Sequence, residues 1–534
     1  MKTLRSFSMA FALGLIALLL TGAGWAPGPA DFNGDGLADL AIGVHMEDVR
    51  SIGDAGAVNV LYGTKNGLLA TKDQIWDQDD LSGDSNGAEM QDFFGQALAA
   101  GDLNGDGAVD LVIGVPGEDI GSAVNGGAVH VIYGVRPDGL SSAGDELWHQ
   151  GSPGIKGAVE SHDFFGQAIS VGDFNGDGFD DMAIGAPLED IESAYNAGAV
   201  NVIYGSPSGP TGRGDQIWYE GKDGLAGTPE TDDWFGQVLA AGDFNGDGYD
   251  DLSIAIPGED LGGDVNAGRV VTLYGSDHGL TAVNAKSWVQ GIYGVPDNHE
   301  PNDYFGRALT TGDFNGDGFA DLAIGDPNED RAGRNDVGMV IVLFGSSQGL
   351  TTDGNQRWFD GGMEGGDGYG GALAAGDFNG DGRDELAVGV PFEDLGSVGD
   401  AGAVEVLYGG TSGLHRRVTN DFWHQDRAGV LDRAEGGDSF GMALTTGNFD
   451  GDAYTDLAVG ICYEDVGSKM NAGAVQIFYG SSAGIVIDFN QFWTQDSPHI
   501  EGASEAEDRF GCPLIAMRVN GPEKLYLPMA LRNN

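Results

Sequence analysis

The sequence predicts an all-β chain folded as a seven-bladed β-propeller with calcium-binding β-hairpin loops, and three observations carry that prediction. An acidic segment, Asp-Phe-Asn-Gly-Asp-Gly, begins at Asp31 and returns with small changes at Asp102, Asp173, Asp243, Asp313, Asp377 and Asn448, at intervals of 64 to 71 residues. Between the copies lie apolar runs of strand length that end in Gly or Pro, about four to a unit. The phase of the repeat is the third: an acidic loop comes first with no Phe-Gly strand before it, and Phe510-Gly511 comes last with no acidic loop after it. The C-terminal strand is therefore expected to complete the N-terminal blade, which closes the ring and removes two exposed sheet edges.

The third repeat shows the elements in order. A strand opens at Phe165-Gly166 and reaches Gly172, the acidic loop spans 173–181, and a second strand runs from Met182 to Pro187. A third begins at Gly198-Ala199-Val200 and ends at Tyr204-Gly205, and a fourth ends at Gln216-Ile217-Trp218. The third-strand glycine recurs at Gly56, Gly127, Gly198, Gly268, Gly338, Gly402 and Gly473, and the tryptophan at 76, 148, 218, 288, 358, 423 and 493. One Trp per repeat at a fixed place reads as packing between blades. An Asp-x-Phe-Gly segment also occurs seven times, from Asp92 to Asp508, with Tyr369 once in place of Phe. A single sheet cannot bury both its faces, so repeats of this kind must stack on one another.

With 534 residues the length alone would suggest three or four domains, but the repeats make 27–518 one propeller, probed at its ends by a signal peptide at 1–26 and a short tail at 519–534. Lys2 and Arg5 precede an apolar run from Met9 to Leu20, which marks export to the exterior or cell surface. The apolar stretch from Leu525 to Leu531 is too short to cross a bilayer. The formal charge of −58 repels nucleic acid and anionic lipid and makes cations the expected partners. A monomeric propeller with no membrane insertion is the expectation.

Phe165-Gly166, the acidic hairpin after it, and Gly185-Ala186-Pro187 together resemble the FG-GAP repeat of integrin alpha subunits, over roughly residues 31 to 515. The resemblance implies a calcium-binding propeller whose loop-rich face binds macromolecules. Departures are local: Gly43-Val44-His45, Ala255-Ile256-Pro257 and Gly460-Ile461-Cys462 replace the Gly-Ala-Pro pattern.

Calcium requires six or more oxygen ligands, which a tight loop supplies from alternate positions while Gly permits the turn. Positions one, three, five and nine offer side chains, and position seven a carbonyl. The candidate ligands are Asp31, Asn33, Asp35, Leu37 and Asp39; Asp102, Asn104, Asp106, Ala108 and Asp110; Asp173, Asn175, Asp177, Phe179 and Asp181; and Asp243, Asn245, Asp247, Tyr249 and Asp251. They continue with Asp313, Asn315, Asp317, Phe319 and Asp321; Asp377, Asn379, Asp381, Arg383 and Glu385; and Asn448, Asp450, Asp452, Tyr454 and Asp456. The twelfth position, where a helical calcium loop carries Glu, is Ile or Val in every copy, so these are β-hairpins. Ala453 replaces the turn glycine of the seventh loop, which should be the weakest site. Up to seven ions are expected, in a structural role.

A Glu-Asp pair follows each second strand, led by Glu47, Glu118, Glu189, Glu259, Glu329, Glu393 and Glu464, and reads as loop-shaping or surface residues. The His residues are scattered, and no nucleophile elbow, phosphate loop or zinc spacing occurs, so the chain is expected not to be an enzyme. Arg213-Gly214-Asp215 reads as a coincidence of the repeat, and Arg331 and Arg334 as drift from its acidic pattern. The only two cysteines, Cys462 and Cys512, sit at off-pattern positions on either side of the closing seam and are expected to form a disulfide. The functional expectation is a secreted binding or adhesion module for an extracellular protein or glycan, held on the face opposite the calcium hairpins. The alternatives are an extracellular polysaccharide lyase or esterase on a propeller scaffold, and a structural coat component.

Overall fold

The computed structural model describes residues 30–82, 87–359, 361–362, 364–417 and 421–512. The expected signal peptide and C-terminal tail lie outside these residues. Seven antiparallel sheets follow one another along the chain. In blade 1, β1 (Leu40–Val44), β2 (Ala57–Tyr62) and β3 (Leu69–Trp76) pair in sequence. Blade 2 has the full complement, β4 (Ala97–Gly101), β5 (Asp110–Val115), β6 (Ala128–Val135) and β7 (Gly139–Trp148), each strand paired to the next. Five more four-stranded blades occupy 168–218, 239–288, 308–358, 373–423 and 440–493.

Burial explains why the strands read as continuous apolar runs rather than alternating ones. β2, β5 and the equivalent strands of the other blades are buried at every position except the end of β6, because both faces of each sheet are covered by neighbouring sheets. The core is accordingly a ring of layers between blades. Val200 and Trp218 of blade 3 pack with Leu252 and Ile254 of blade 4, and Trp423 of blade 6 meets Phe478 of blade 7 with ring centroids 5.0 Å apart. The outermost strands, such as β3, are half exposed.

The ring closes where the phase of the repeat requires. Within blades 2 and 3 the Phe-Gly strand is tied to the second strand by Gly95 N–H to Gly114 O and Gly166 N–H to Gly185 O. Gly511 N–H makes the same bond to Gly43 O of blade 1, at 3.2 Å, and Cys512 bridges Val44. Phe510 also seats its backbone on Gly473 of blade 7, as Phe94 of blade 2 seats on Gly56 of blade 1. Gly473 has φ +81° and a Cβ there would strike the Phe510 backbone, so this contact admits only glycine.

Candidate metal hairpins, blade junctions and the opposite face

In blades 2 to 7 the acidic hairpin joins the first strand to the second, and in blade 1 it leads into the second strand, beside which Phe510-Gly511 docks. In blade 2, Asp102 at position one accepts the N–H groups of Gly105 (2.7 Å) and Asp106 (3.1 Å) on Oδ1 and that of Gly107 (2.8 Å) on Oδ2. Asp106 at position five accepts Ala108 N–H at 2.9 Å. Asp110 at position nine is fully buried and accepts Leu103 N–H and Gly134 N–H, each at 3.0 Å, so it ties the hairpin to the third strand. Asp173, Asp177 and Asp181 repeat these bonds in blade 3.

Burial, then the neighbouring carboxylates of positions one and five, pushes the position-nine carboxyl far up: to about 8 in Asp39, Asp110 and Asp321 and about 9 in Asp181 and Asp251. Glu385 rises to about 8 from the same causes. A hard cation at the hairpin would relieve that repulsion, and the donors are all oxygen, so the residues fit calcium. The seventh hairpin differs. Asn448 accepts only Gly451 N–H (2.8 Å) and turns its Nδ2 back to Asp452 O (2.8 Å), so it offers a neutral oxygen where the other six offer a carboxylate.

Among the described residues, two groups of three carboxylates bring an oxygen from each member within 4.8 Å of the others: Glu220, Asp233 and Glu259, and Asp303, Asp326 and Glu329. Both lie at blade junctions rather than in hairpins. Sequence reasoning missed these junctions, and the Glu of the Glu-Asp pairs is their centre. Gln78 Nε2 donates to Glu118 (2.6 Å), Gln150 to Glu189 (2.7 Å) and Gln425 to Glu464 (2.8 Å), each Gln lying two residues after the Trp of the preceding blade. The reading of these Glu residues as surface groups is thus corrected: Glu118, Glu189, Glu329 and Glu464 are buried, because the second strand delivers them into the gap between sheets. A Gln two positions after the Trp in five of the seven repeats, at 78, 150, 290, 425 and 495, was the signal available.

Asp215 is 1% exposed and accepts Lys156 N–H at 2.7 Å, so Arg213-Gly214-Asp215 presents no free carboxylate. Arg331 lies over the Phe359 ring, 3.5 Å from its centroid. Cys462 and Cys512 are disulfide-bonded, with Cα atoms 5.3 Å apart, and His45 Nδ1 lies 2.6 Å from Cys512 O. The off-pattern His45 and Cys462 are thus both accounted for by the seam.

Strand direction separates two faces. The hairpins and the turns between third and fourth strands share one face, where Arg136 reaches Gly107 O. The connections after the second and fourth strands lie on the other. No helix among the described residues is long and apolar enough to cross a membrane.

Seven such blades, each with an acidic hairpin between its first two strands, define a propeller of the integrin-alpha type. The chain belongs to the FG-GAP repeat family, whose repeat matches residues 23–61, 94–132, 165–203, 235–273, 305–343, 369–407 and 440–478. Its relatives include the phosphatidylinositol-glycan-specific phospholipase D of Bos taurus, 34% identical over 35% of this chain and 22% of that protein. Integrin alpha-PS2 of Drosophila melanogaster is 32% identical over 44% of this chain and 16% of its own length. The matched region thus spans about a fifth of these curated relatives. Among solved structures, Bacillus licheniformis rhamnogalacturonan lyase PL11 aligns over 74% of this chain and 68% of its own, with 12% identity and a TM-score of 0.32.

The expectation that the chain is not an enzyme is corrected by these relatives, since several that share its repeats carry the name of a phospholipase D. The expectation rested on missing sequence motifs, and motifs do not reveal residues that only folding brings together. Asp163 and Glu189, whose carboxyls burial and then nearby carboxylates raise, come together only in the fold, and sequence spacing gave no sign of it.

Proposed function

We propose that this chain is an extracellular, calcium-loaded propeller that binds a protein or glycan partner through the face formed by the loops after the second and fourth strands. The observation that carries this reading is a set of solvent-facing apolar side chains repeated on that face. Val124, Tyr195, Val265 and Met470 stand at the same place in four blades, each immediately before an Asn, and Tyr195 and Met470 are 66% and 61% exposed. Met90, 71% exposed, adds to them from a segment before a Phe-Gly strand. Apolar side chains held repeatedly in solvent by polar loops mark a surface meant to be covered.

Calcium supplies charge neutralisation and stiffness on the opposite face. Positions one, three, five and nine of the hairpins, with the position-seven carbonyl, would hold up to seven ions, bringing the formal charge to about −44. Export is supported by the basic N-terminus and apolar run of residues 2–20.

The test is binding of the purified protein to glycan arrays and to a panel of extracellular matrix proteins. The double variant Tyr195→Glu, Met470→Glu should lose the interaction while keeping wild-type calcium content and melting temperature. Retained binding in that variant, or loss of binding only on substitution of the hairpin face, rules the proposed face out.

A further inference from the structure

We propose that the chain holds one divalent cation outside its hairpins, in a buried pocket at the junction of blades 4 and 5 formed by Asp303, Asp326 and Glu329. The starting point is a departure from the repeat. The second-strand residue is Val44, Val115, Ala186, Ile256, Val390 or Ile461 in six blades, and Asp326 in the fifth. Asp326 is fully buried, Asp303 is 2% exposed and Glu329 is 3% exposed, and one oxygen from each lies within 4.8 Å of the others.

The junction of blades 3 and 4 shows what a third carboxylate needs. There Glu220 replaces the usual Gln, and Arg269 replaces a residue that is Ala in five repeats and Met in one. Arg269 pairs with Glu220 and lies 3.4 Å from Glu259, so the extra acid came with its own cation. Nothing equivalent stands in the next junction. None of Asp303, Asp326 and Glu329 has an ion pair among the described residues. Arg307 faces Asp326 at longer range, but it is stacked on Tyr304, 4.5 Å from the ring centroid.

A second observation points to a ligand. Gln290 Nε2 holds Asp326 Oδ2 at 2.8 Å and Glu329 Oε2 at 3.0 Å, and the Asn328 backbone N–H faces the Asp326 carboxyl, yet Asp326 Oδ1 is buried with no partner in hydrogen-bond geometry. A carboxylate oxygen removed from water must be paired with a donor or a metal. Arg307 beside Asp326 and Arg331 beside Glu329 are opposed by Asp297, Glu300 and Asp330 around the same three carboxylates, so the cluster keeps a negative excess that a divalent ion would offset. With carboxylate and amide groups and no thiolate or imidazole, the donor set selects a hard cation of the calcium or manganese class.

The experiment uses the whole mature propeller. Crystals soaked in Mn²⁺ should show an anomalous peak among the three carboxylates. In equilibrium dialysis, Asp326→Val, which installs the residue of blades 1, 2 and 6, should bind one equivalent of calcium fewer than wild type. Asp173→Ala serves as the hairpin control, and its loss of an equivalent is independent of the triad. Equal calcium stoichiometry in wild type and D326V, with no Mn²⁺ peak at the triad, overturns the proposal and leaves a shared proton as the counter-charge. If D326V does not fold, the Mn²⁺ signal in the wild-type crystal decides by itself.

Discussion

Gln495 Nε2 donates to Glu47 Oε2 at 2.7 Å, joining the last blade to the first with the bond that links Gln150 to Glu189 at an ordinary junction. The closing seam is therefore built from the same parts as the rest of the ring. Tyr479 and Gln491 act similarly at that seam: Leu68 N–H reaches Tyr479 Oη at 3.4 Å, and Gln491 Nε2 donates to Leu68 O at 3.0 Å. Tyr62 and Gln74 hold Leu140 in the same way between blades 1 and 2.

Removing one junction amide should destabilise the protein without altering its fold. Gln150→Ala leaves the Glu189 carboxyl buried without its donor, a loss of about 1–3 kcal/mol. Chemical denaturation monitored by tryptophan fluorescence measures it. A midpoint equal to wild type would show that the Gln–Glu bond contributes nothing net.

The Glu220–Arg269–Glu259 cluster gives a sharper test, because the repeat supplies its own reference state. Arg269→Ala leaves the buried Glu220 and the partly buried Glu259 without their cation and should cost about 3–5 kcal/mol. Adding Glu220→Gln restores the residue pair found at ordinary junctions and should recover most of that loss. Failure of the second substitution to rescue the first would mean that Arg269 acts through packing rather than charge.

Junction acids also make stability depend on pH. Burial, opposed in part by the Gln495 bond, raises the Glu47 carboxyl from 4.5 to about 7, with Asp508, Glu505 and Asp48 adding to the rise. A carboxyl whose folded value lies above its unfolded value holds its proton more tightly when folded. Its contribution is present below about pH 4.5 and is lost as pH rises through 7. In excess chelator the melting temperature should therefore fall between pH 5 and pH 8, and Glu47→Gln should show a shallower fall. An unchanged slope in that variant would remove Glu47 from the account.

The ring, its blade count and its closing strand were legible because they rest on period and phase, which Phe510-Gly511 and the hairpins state directly. The hairpins were legible for the same reason, as alternate oxygen donors around fixed glycines. What stayed hidden is what two repeats make between them. Gln78 and Glu118 lie 40 positions apart and meet only because adjacent sheets stack, so neither residue shows its partner in its own repeat. Asp326 left a trace, a carboxylate in an apolar column, but its neighbours Asp303 and Glu329 belong to a different loop and the start of a different strand connection.

Calcium should raise stability through the hairpins, and the seventh should respond least. Because Asn448 offers a neutral amide oxygen at position one, Asn448→Asp combined with Ala453→Gly gives positions one and six the residues of the other six loops. Calorimetric titration of the chelator-stripped double variant should show tighter binding at one site than wild type, within the roughly 0.1 to 1 mM range of extracellular modules or below it. Identical isotherms would place the weak site elsewhere.

The disulfide acts at the one place where ring closure depends on a strand from the far end of the chain. Cys462 directly follows the second strand of blade 7, and Cys512 follows the Phe-Gly pair that docks on blade 1, so the bond ties neighbouring blades across the seam. Their Cα separation of 5.3 Å lies within the range an unstrained bridge uses. Cys512→Ser should cost about 2–4 kcal/mol, as loss of a loop-closing crosslink does. The loss should also be local before it is global. Gly511 N–H, bonded to Gly43 O, should lose hydrogen-exchange protection, while Gly166 N–H, which makes the same bond inside blade 3, keeps its own. Equal protection at Gly511 with and without the disulfide would mean that hydrogen bonding and the Gln495–Glu47 contact alone hold the ring shut.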